Sequence, residues 1–339
     1  MEYHELPKIP VNREIRGVLD RINYVAVHAS DLDGIASAAL IFLLKPSVKI
    51  DYLTVSEALN SYRDYDLVID LPKIGDAVNI DHHRTNYERL KLEGRLTERD
   101  LVDPEAPSAT LLVAKYFGIG DNPHVRRIVD IATRADLGQY DDDIYVIDKV
   151  IKCNSRDKEK LHRIMLTIAL YADKVMKDRW FRAEVERLKP VFEICKIFSR
   201  AIIRDILDRY GVEYLIIHVE STVPRICVGD IMHDYIEAGG KIVVLINTMK
   251  EKDRYCPSLT ENIGHRFVRV SIRSRDPEFD ARRVLEMYGG GGHKVAAGAR
   301  IPHDLLPDFL LFMMRNLASK GPAIYLRINR EYAERIGIR

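Results

Sequence analysis

Apolar residues between positions 24 and 81 come in short runs: YVAVH at 24–28, KIDYL at 49–53, DLVID at 66–70 and AVNID at 77–81, three of them ending on a histidine or an aspartate. Runs rich in β-branched residues, without strict polar alternation, suit strands of a parallel sheet that is covered on both faces. GIASAALIFLLK at 34–45 is apolar on all sides and too long for a strand, so it predicts a buried helix entered from the first strand through a tight loop. Ser108 offers a hydroxyl cap for a helix over SATLLVAKYF, and Pro123 opens a second helix that runs to about Asp136.

From 157 to 210 the chain is charged, has no glycine and only Pro190 as proline, and keeps helical spacing until Gly211 stops it. Strand-like and helix-like stretches then alternate again: GVEYLIIHV at 211–219, VGDIMHDYIEAGG at 228–240, KIVVLIN at 241–247 and RFVRVSIRS at 266–274. The expected architecture is α/β: a parallel-sheet domain over 1–190, a helical connector over 191–212, and a smaller α/β domain over 213–339.

With 47% hydrophobic and 30% charged residues, the composition is that of a soluble globular protein. A net charge of +1 excludes a globally basic nucleic-acid coat, so any contact with nucleic acid must come from local charge, which favours small or short substrates. The opening MEYHELPKIPVNREIRG has no apolar signal region and no later stretch offers about 18 apolar residues, so a cytoplasmic protein without a membrane role is expected. Cys153, Cys195, Cys227 and Cys256 form no CxxC pair, which speaks against a zinc knuckle or a redox motif and leads us to expect buried free thiols.

Ligands of open parallel sheets gather beyond the carboxyl ends of the strands. His28, Asp31 and Asp33 follow the first run, Asp70 ends a later one, Asp81, His82 and His83 end the next, and Asp136 stands at a helix end. Each alone reads as a turn or cap residue. Together, converging carboxylates without lysines among them repel one another unless a cation holds them, and the mixture with imidazole suits Mn2+, with Mg2+, Co2+ or Zn2+ as substitutes. No Ser/His/Asp or Cys/His arrangement for a protein nucleophile stands out.

Asp31-Leu32-Asp33-Gly34, Asp70, Asp81-His82-His83 and Asp136, in this order, resemble the successive motifs of the DHH phosphoesterases. SIRS at 271–274 followed by YGGGGHKVAAG at 288–298 resembles the nucleotide-binding signature of the DHHA1 domain, so the resemblance runs from about 24 to 301. It implies a hydrolase using two divalent cations, Mn2+ foremost. Asp33, Asp70, His82 and Asp136 would hold one, and Asp31, Asp70 and His28 the other, with Asp70 bridging. The family commonly has its first histidine where Val27 stands; His28 lies one residue closer to Asp31. Asp81 would orient a neighbouring imidazole and His83 would contact the scissile phosphate or assist the leaving group, making Asp70, Asp81 and His83 the catalytic set. Arg273, Ser274, Gly290, Gly291, Gly292 and His293 would bind substrate, the glycines letting backbone N–H groups approach an anion.

The substrates implied are short RNA or DNA oligonucleotides and small nucleotide phosphates such as adenosine bisphosphate. Cyclic-dinucleotide hydrolysis and RecJ-like single-strand exonuclease action are alternatives, the latter usually needing regions for which this chain has little left over. A non-catalytic DHH-like module that binds nucleic acid or a replication partner is a rival of another class, disfavoured because its acidic ligands would be expected to be lost. Homodimers are frequent among relatives of this size.

Overall fold

The apolar runs of the first half become β1 (Tyr24–His28), β2 (Lys49–Leu53), β3 (Leu67–Ile69) and β4 (Val78–Asp81), joined by a two-residue β5 (Leu101–Val102). The computed structural model describes residues 6–220, 224–248, 256, 266–329 and 333–338. The first five strands form one sheet in the order β2-β1-β3-β4-β5, every neighbouring pair parallel. The chain leaves β1 toward β2 on one side and returns to β3 on the other. That reversal opens a crevice at the carboxyl ends of β1 and β3.

The helices of this half are α1 (Arg13–Asp20), α2 (Leu32–Leu44), α3 (Val55–Leu59), α4 (Arg84–Leu92), α5 (Ala109–Tyr116), α6 (Pro123–Asp136), α7 (Asp142–Cys153) and α8 (Lys158–Tyr171). Every residue of α2 from Leu32 to Leu43 is buried, as its all-round apolar composition requires, and α2 packs on α5, α6 and α8. Ser108 caps α5 by accepting the Leu111 N–H at 3.2 Å, and Asn122 caps α6 ahead of Pro123.

The helical stretch after 157 is interrupted. Ala172, with φ 52°, ends α8, and Asp178 restarts the helix by accepting the Phe181 N–H at 2.9 Å. The next helix, α9 (Arg179–Ile202), carries Pro190 and continues as a π-helical turn over Ile203–Asp208.

The chain divides into two compact units, 1–188 and 189–339. The second contains β6 (Tyr214–Val219), α10 (Cys227–Glu237), β7 (Ile242–Asn247), β8 (Phe267–Ser274), α11 (Ala281–Glu286), β9 (Gly291–His293), β10 (Ala296–Pro302), α12 (Leu306–Ala318), β11 (Ala323–Ile328) and β12 (Ala333–Ile338). Its sheet, ordered β12-β11-β6-β7-β8-β10-β9, is parallel across β11, β6 and β7 and antiparallel elsewhere. One face, with Ile216, Val244, Val270 and Ile301, meets Leu285 of α11 and Phe309 and Met313 of α12 in the core.

The expectation of free thiols is wrong. Cys195 and Cys227 form a disulfide, and none of the four cysteines is free. The two are 32 residues apart, so no local motif announces the bond; the fold brings their Cα atoms to 4.7 Å. Among the described residues no helix is long and apolar enough to cross a membrane.

Candidate metal centre

His28 ends β1, and the chain turns into α2 within a few residues. A Cβ at Gly34 would lie 2.2 Å from the His28 carbonyl oxygen, so glycine is what permits this turn. The turn brings His28 Nδ1 to 2.8 Å from Asp31 Oδ2 and 3.4 Å from Asp70 Oδ2. Asp31 Oδ1 also caps α2, accepting the Gly34 N–H at 3.1 Å. Asp33, in the first turn of α2, reaches across to the start of α5. Its Oδ2 accepts the Ala109 N–H at 2.6 Å, and its Oδ1 accepts the Thr110 N–H at 2.8 Å and the Thr110 hydroxyl at 2.6 Å. A helix N-terminus with these donors holds a carboxylate in one orientation.

Asp70 follows β3 with φ 56°, a left-handed conformation that carries strain in a residue other than glycine. Three contacts hold it there: the Asp70 N–H donates to the Ile80 carbonyl at 2.9 Å, and the Asn79 side-chain amide donates to the Val68 and Leu71 carbonyls at 3.1 Å each. The Asp70 side chain is only 2% exposed, and its buried Oδ1 accepts no hydrogen bond among the described residues. Such an oxygen is costly unless something else satisfies it.

His82 follows β4, and its Nδ1 lies 3.2 Å from the Ala106 carbonyl, so Nδ1 donates there and Nε2 is the nitrogen turned to the carboxylates. Nε2 lies 3.7 Å from Asp33 Oδ2, 3.7 Å from Asp70 Oδ1 and 3.6 Å from Asp136 Oδ2. These separations exceed a direct hydrogen bond, and the ligand atoms of Asp33, His82 and Asp136 all lie within 4.8 Å of one another. Asp81 is turned away from that group: its Oδ1 accepts the His83 Nδ1–H at 2.8 Å and the His82 N–H at 2.8 Å, and its Oδ2 accepts the Asn86 amide at 2.6 Å. His83, 39% exposed, also has Nδ1 3.5 Å from Asp70 Oδ1.

Among the described residues, three sets therefore have ligand atoms within 4.8 Å of one another: His28, Asp31 and Asp70; Asp33, His82 and Asp136; and Asp70, His82 and His83. Asp70 belongs to two of them. Every ion pair described for Asp31, Asp33, Asp70 and Asp136 is with a histidine. Burial pushes the Asp70 carboxyl up to about 8, with the Asp31 and Asp33 charges adding to the effect. Burial, then Asp33, takes Asp136 up to about 7, and burial also raises Asp33. Burial would raise Asp31 as well, but His28 and the Gly34 N–H hold it well below the usual carboxylate range. For His28 burial acts downward, yet Asp31 and Asp70 carry the imidazole well above its ordinary value. For His83 burial is overridden in the same way by Asp81, to about 10. Carboxylates this crowded cannot all ionise without added positive charge. Asp33, His82 and Asp136, and separately His28, Asp31 and Asp70, are donor sets of the kind that holds a divalent cation.

In the second unit, Arg273 on β8 pairs in register with Ala296 on β10, which pairs with His293 on β9, so Arg273 and His293 flank Ala296 on one sheet face. Two expectations need correction here. Ser274 lies on the opposite, buried face, where its Oγ accepts the Asp276 N–H at 3.1 Å, because neighbouring residues of a strand point to opposite sides. The first half of the glycine run offers no free N–H groups: Gly289 and Gly290 donate to the Glu286 and Leu285 carbonyls, closing α11. Gly290 also has a packing reason, since a Cβ there would lie 2.5 Å from the Gly298 carbonyl oxygen. Gly291 and Gly292 belong to β9, opposite Gly298 and Ala297.

Residues 212–319 match the family model of the DHHA1 domain, and the first unit gathers its aspartates and histidines at the strand ends of a parallel sheet. The second unit therefore carries a DHHA1 domain. The chain's fold is similar to that of a pGpG-specific phosphodiesterase from Vibrio cholerae, with 13% identity and a TM-score of 0.59 over 88% of this chain and 100% of that one. The DHH domain of a protein described as a member of a ribosomal-protein family is similar over 89% of this chain and 88% of that one, with 14% identity and a TM-score of 0.54. RecJ from Thermus thermophilus, solved with Mg2+, is similar over 96% of this chain but 56% of its own, with 15% identity and a TM-score of 0.51. The chain thus spans a little over half of that RecJ. At such identities the likeness concerns the fold. No curated protein matches the chain by sequence.

The candidate metal centre is also held by residues that reading the motifs overlooks. Asn79 clamps the Asp70 turn, Asn86 links the Asn79 and Asp81 side chains at 2.8 and 2.6 Å, and Thr110 holds Asp33. A polar residue inside the apolar run AVNID was a signal for Asn79. Thr110 lies 77 positions from Asp33, and nothing local marks it.

Proposed function

We propose that the chain is a two-metal-dependent phosphoesterase that hydrolyses short oligonucleotides and small nucleotide phosphates of the adenosine bisphosphate type. The observation that carries this reading is the gathering of Asp31, Asp33, Asp70 and Asp136 with three imidazoles at the carboxyl ends of one parallel sheet. A module that only binds nucleic acid has no need of so many buried, mutually repelling carboxylates. The Mg2+ and Mn2+ named with the RecJ structures support a divalent cation, and Mn2+ is our first choice for the mixed donors. The dinucleotide named with the Vibrio phosphodiesterase, similar along its whole length, supports a small substrate.

One cation would be held by Asp33, Asp70, His82 and Asp136 and the other by His28, Asp31 and Asp70. When bound, the cations supply Lewis acidity that activates water and neutralises charge on the phosphoryl group. The chain's own residues do the positioning. Asp81 holds the proton on His83 Nδ1 and keeps the ring cationic, so that Nε2–H can donate to a phosphoryl or leaving-group oxygen. Asn86 fixes Asp81, and Asn79 fixes Asp70. In the second unit Arg273 and His293 would donate to the nucleotide.

The test is a side-by-side assay of adenosine bisphosphate, linear and cyclic dinucleotides and single-stranded RNAs of graded length, with Mn2+, Mg2+ or chelator. Metal-dependent release from the bisphosphate and the shortest strands is expected. Turnover only on cyclic dinucleotides or only on long strands would move the assignment to those substrates, and no turnover on any would overturn it.

A further inference from the structure

Arg89 lies three residues beyond Asn86 on α4, so the two side chains share a face of the helix. The residue is half-buried. Its Nη2 donates to the Asn86 amide oxygen at 3.1 Å, its Nε is buried without an acceptor, and among the described residues it forms no ion pair. A buried N–H without an acceptor costs stability, so no fold-stabilising ion pair explains this cation, and the polar contact that remains is the one to Asn86.

The Asn86 amide joins two arms of the candidate metal centre. Its nitrogen donates to Asp81 Oδ2 at 2.6 Å and to Asn79 Oδ1 at 2.8 Å, which leaves its oxygen for Arg89. The arms differ in what else holds them. Asn79 is fixed without Asn86: its side-chain amide donates to the Val68 and Leu71 carbonyls, and its backbone N–H donates to Asp100 Oδ1 at 2.8 Å, with Asp100 held in turn by the Lys73 ammonium at 2.7 Å. Among the described residues Asp81 Oδ2 accepts only the Asn86 amide, while Oδ1 takes the His82 N–H and the His83 Nδ1–H. With Oδ2 released, the carboxylate is free to rotate about its Cβ–Cγ bond and to turn the His83 ring with it.

We infer that Arg89 is a positioning residue of the candidate metal centre: by holding the Asn86 oxygen it keeps the Asn86 nitrogen on Asp81 Oδ2, and through Asp81 it keeps the His83 imidazole in place. The inference rests on the reading that the chain hydrolyses phosphoesters with His83 as a donor. The two ends of an amide are alike in size, and a guanidinium selects between them, because it donates to an oxygen and can accept nothing from a nitrogen. A cation on the oxygen also polarises the amide and strengthens the bonds that its N–H groups give. Since the Asp70 turn is anchored independently through Asn79, loss of Arg89 should slow turnover without changing the metal requirement.

Arg89→Met removes the donor and keeps an apolar stem. With bis(p-nitrophenyl) phosphate and saturating Mn2+, kcat should fall about 10-fold, as for other partners that orient a metal site from behind its ligands. The Mn2+ concentration for half-maximal rate should stay at the parent's value, and Arg89→Lys should keep most of the turnover. In a His83→Ala background Arg89→Met should cost less than about 2-fold, because both changes interrupt one line of contacts. A parent-like kcat, an undiminished loss in the His83→Ala background, an equal loss in Arg89→Lys or a raised Mn2+ requirement overturns the inference. If Arg89→Met does not melt cooperatively, Arg89→Gln replaces it with the same outcomes. A second readout needs neither metal nor turnover: in chelator, exchange of the His83 Nδ1–H with water, followed by NMR on histidine-labelled protein, should quicken several-fold in Arg89→Met and stay parent-like in Arg89→Lys. Parent-like exchange in both variants overturns the inference. No turnover of this ester by the parent, whatever the metal, would count against the phosphoesterase reading and leave the exchange measurement to decide Arg89, as it also does where His83→Ala retains too little turnover for the double variant to be compared.

Discussion

Thr110→Val changes almost nothing in shape and removes one hydroxyl from beneath the candidate metal centre. That hydroxyl is fully buried and lies 2.6 Å from Asp33 Oδ1, 2.9 Å from the Asp33 carbonyl oxygen and 3.0 Å from Ser37 Oγ. It has a single proton, which goes to the carboxylate as the stronger acceptor, while the Ser37 hydroxyl donates to it. The substitution therefore deletes one charge-assisted hydrogen bond of about 1.5–3 kcal/mol and strips a neutral bond of about 1 kcal/mol from Ser37, for a loss of about 2.5–4 kcal/mol. The Ala109 and Thr110 N–H groups still hold Asp33, at 2.6 and 2.8 Å, so the carboxylate stays at the start of α5 but is less firmly oriented. Loss of a partner that orients a metal ligand typically costs about 10- to 100-fold in metal affinity. Urea unfolding in chelator should show the stability loss, and a Mn2+ titration of bis(p-nitrophenyl) phosphate turnover should show the half-maximal concentration rising by that factor. A variant that loses the stability but keeps the parent's Mn2+ dependence would make Asp33 a structural acid that caps α5, and its assignment as a ligand would be wrong.

Asp70→Asn should nearly abolish turnover in a folded protein, because Asp70 belongs to two donor sets; wild-type turnover in a variant with a parent-like melt would exclude a bridging role. His28→Ala should raise the Mn2+ needed for half-maximal rate, since the imidazole lies 2.8 Å from Asp31 and 3.4 Å from Asp70, and an unchanged titration would assign His28 to packing alone. Arg273→Ala should lower kcat/KM for adenosine bisphosphate by about one to two decades, the value of a charge-assisted contact of about 1.5–3 kcal/mol, and hardly affect bis(p-nitrophenyl) phosphate. Equal losses on the two substrates would show that Arg273 acts on the fold or the metal centre instead.

Local composition already determined much of this chain. YVAVH and KIDYL form strands with the bounds of their apolar runs, because such residues bury both faces of a parallel sheet, and Ser108 and Pro123 stand at helix starts because cap and first-turn chemistry is local. The order of acidic and histidine motifs was likewise legible, since each follows a strand end and such ends lie together in an open sheet. The tertiary structure alone decided what depends on distant partners. The Cys195–Cys227 bond, the hold of Thr110 on Asp33 and the clamp of Asn79 on the Asp70 turn all join residues whose closeness no spacing rule encodes. Strand register made a further division that the motif alone did not draw. It put Arg273 on the exposed side of β8 and turned Ser274 into the core, because a side chain's face follows from its parity along the strand once the pairing is set.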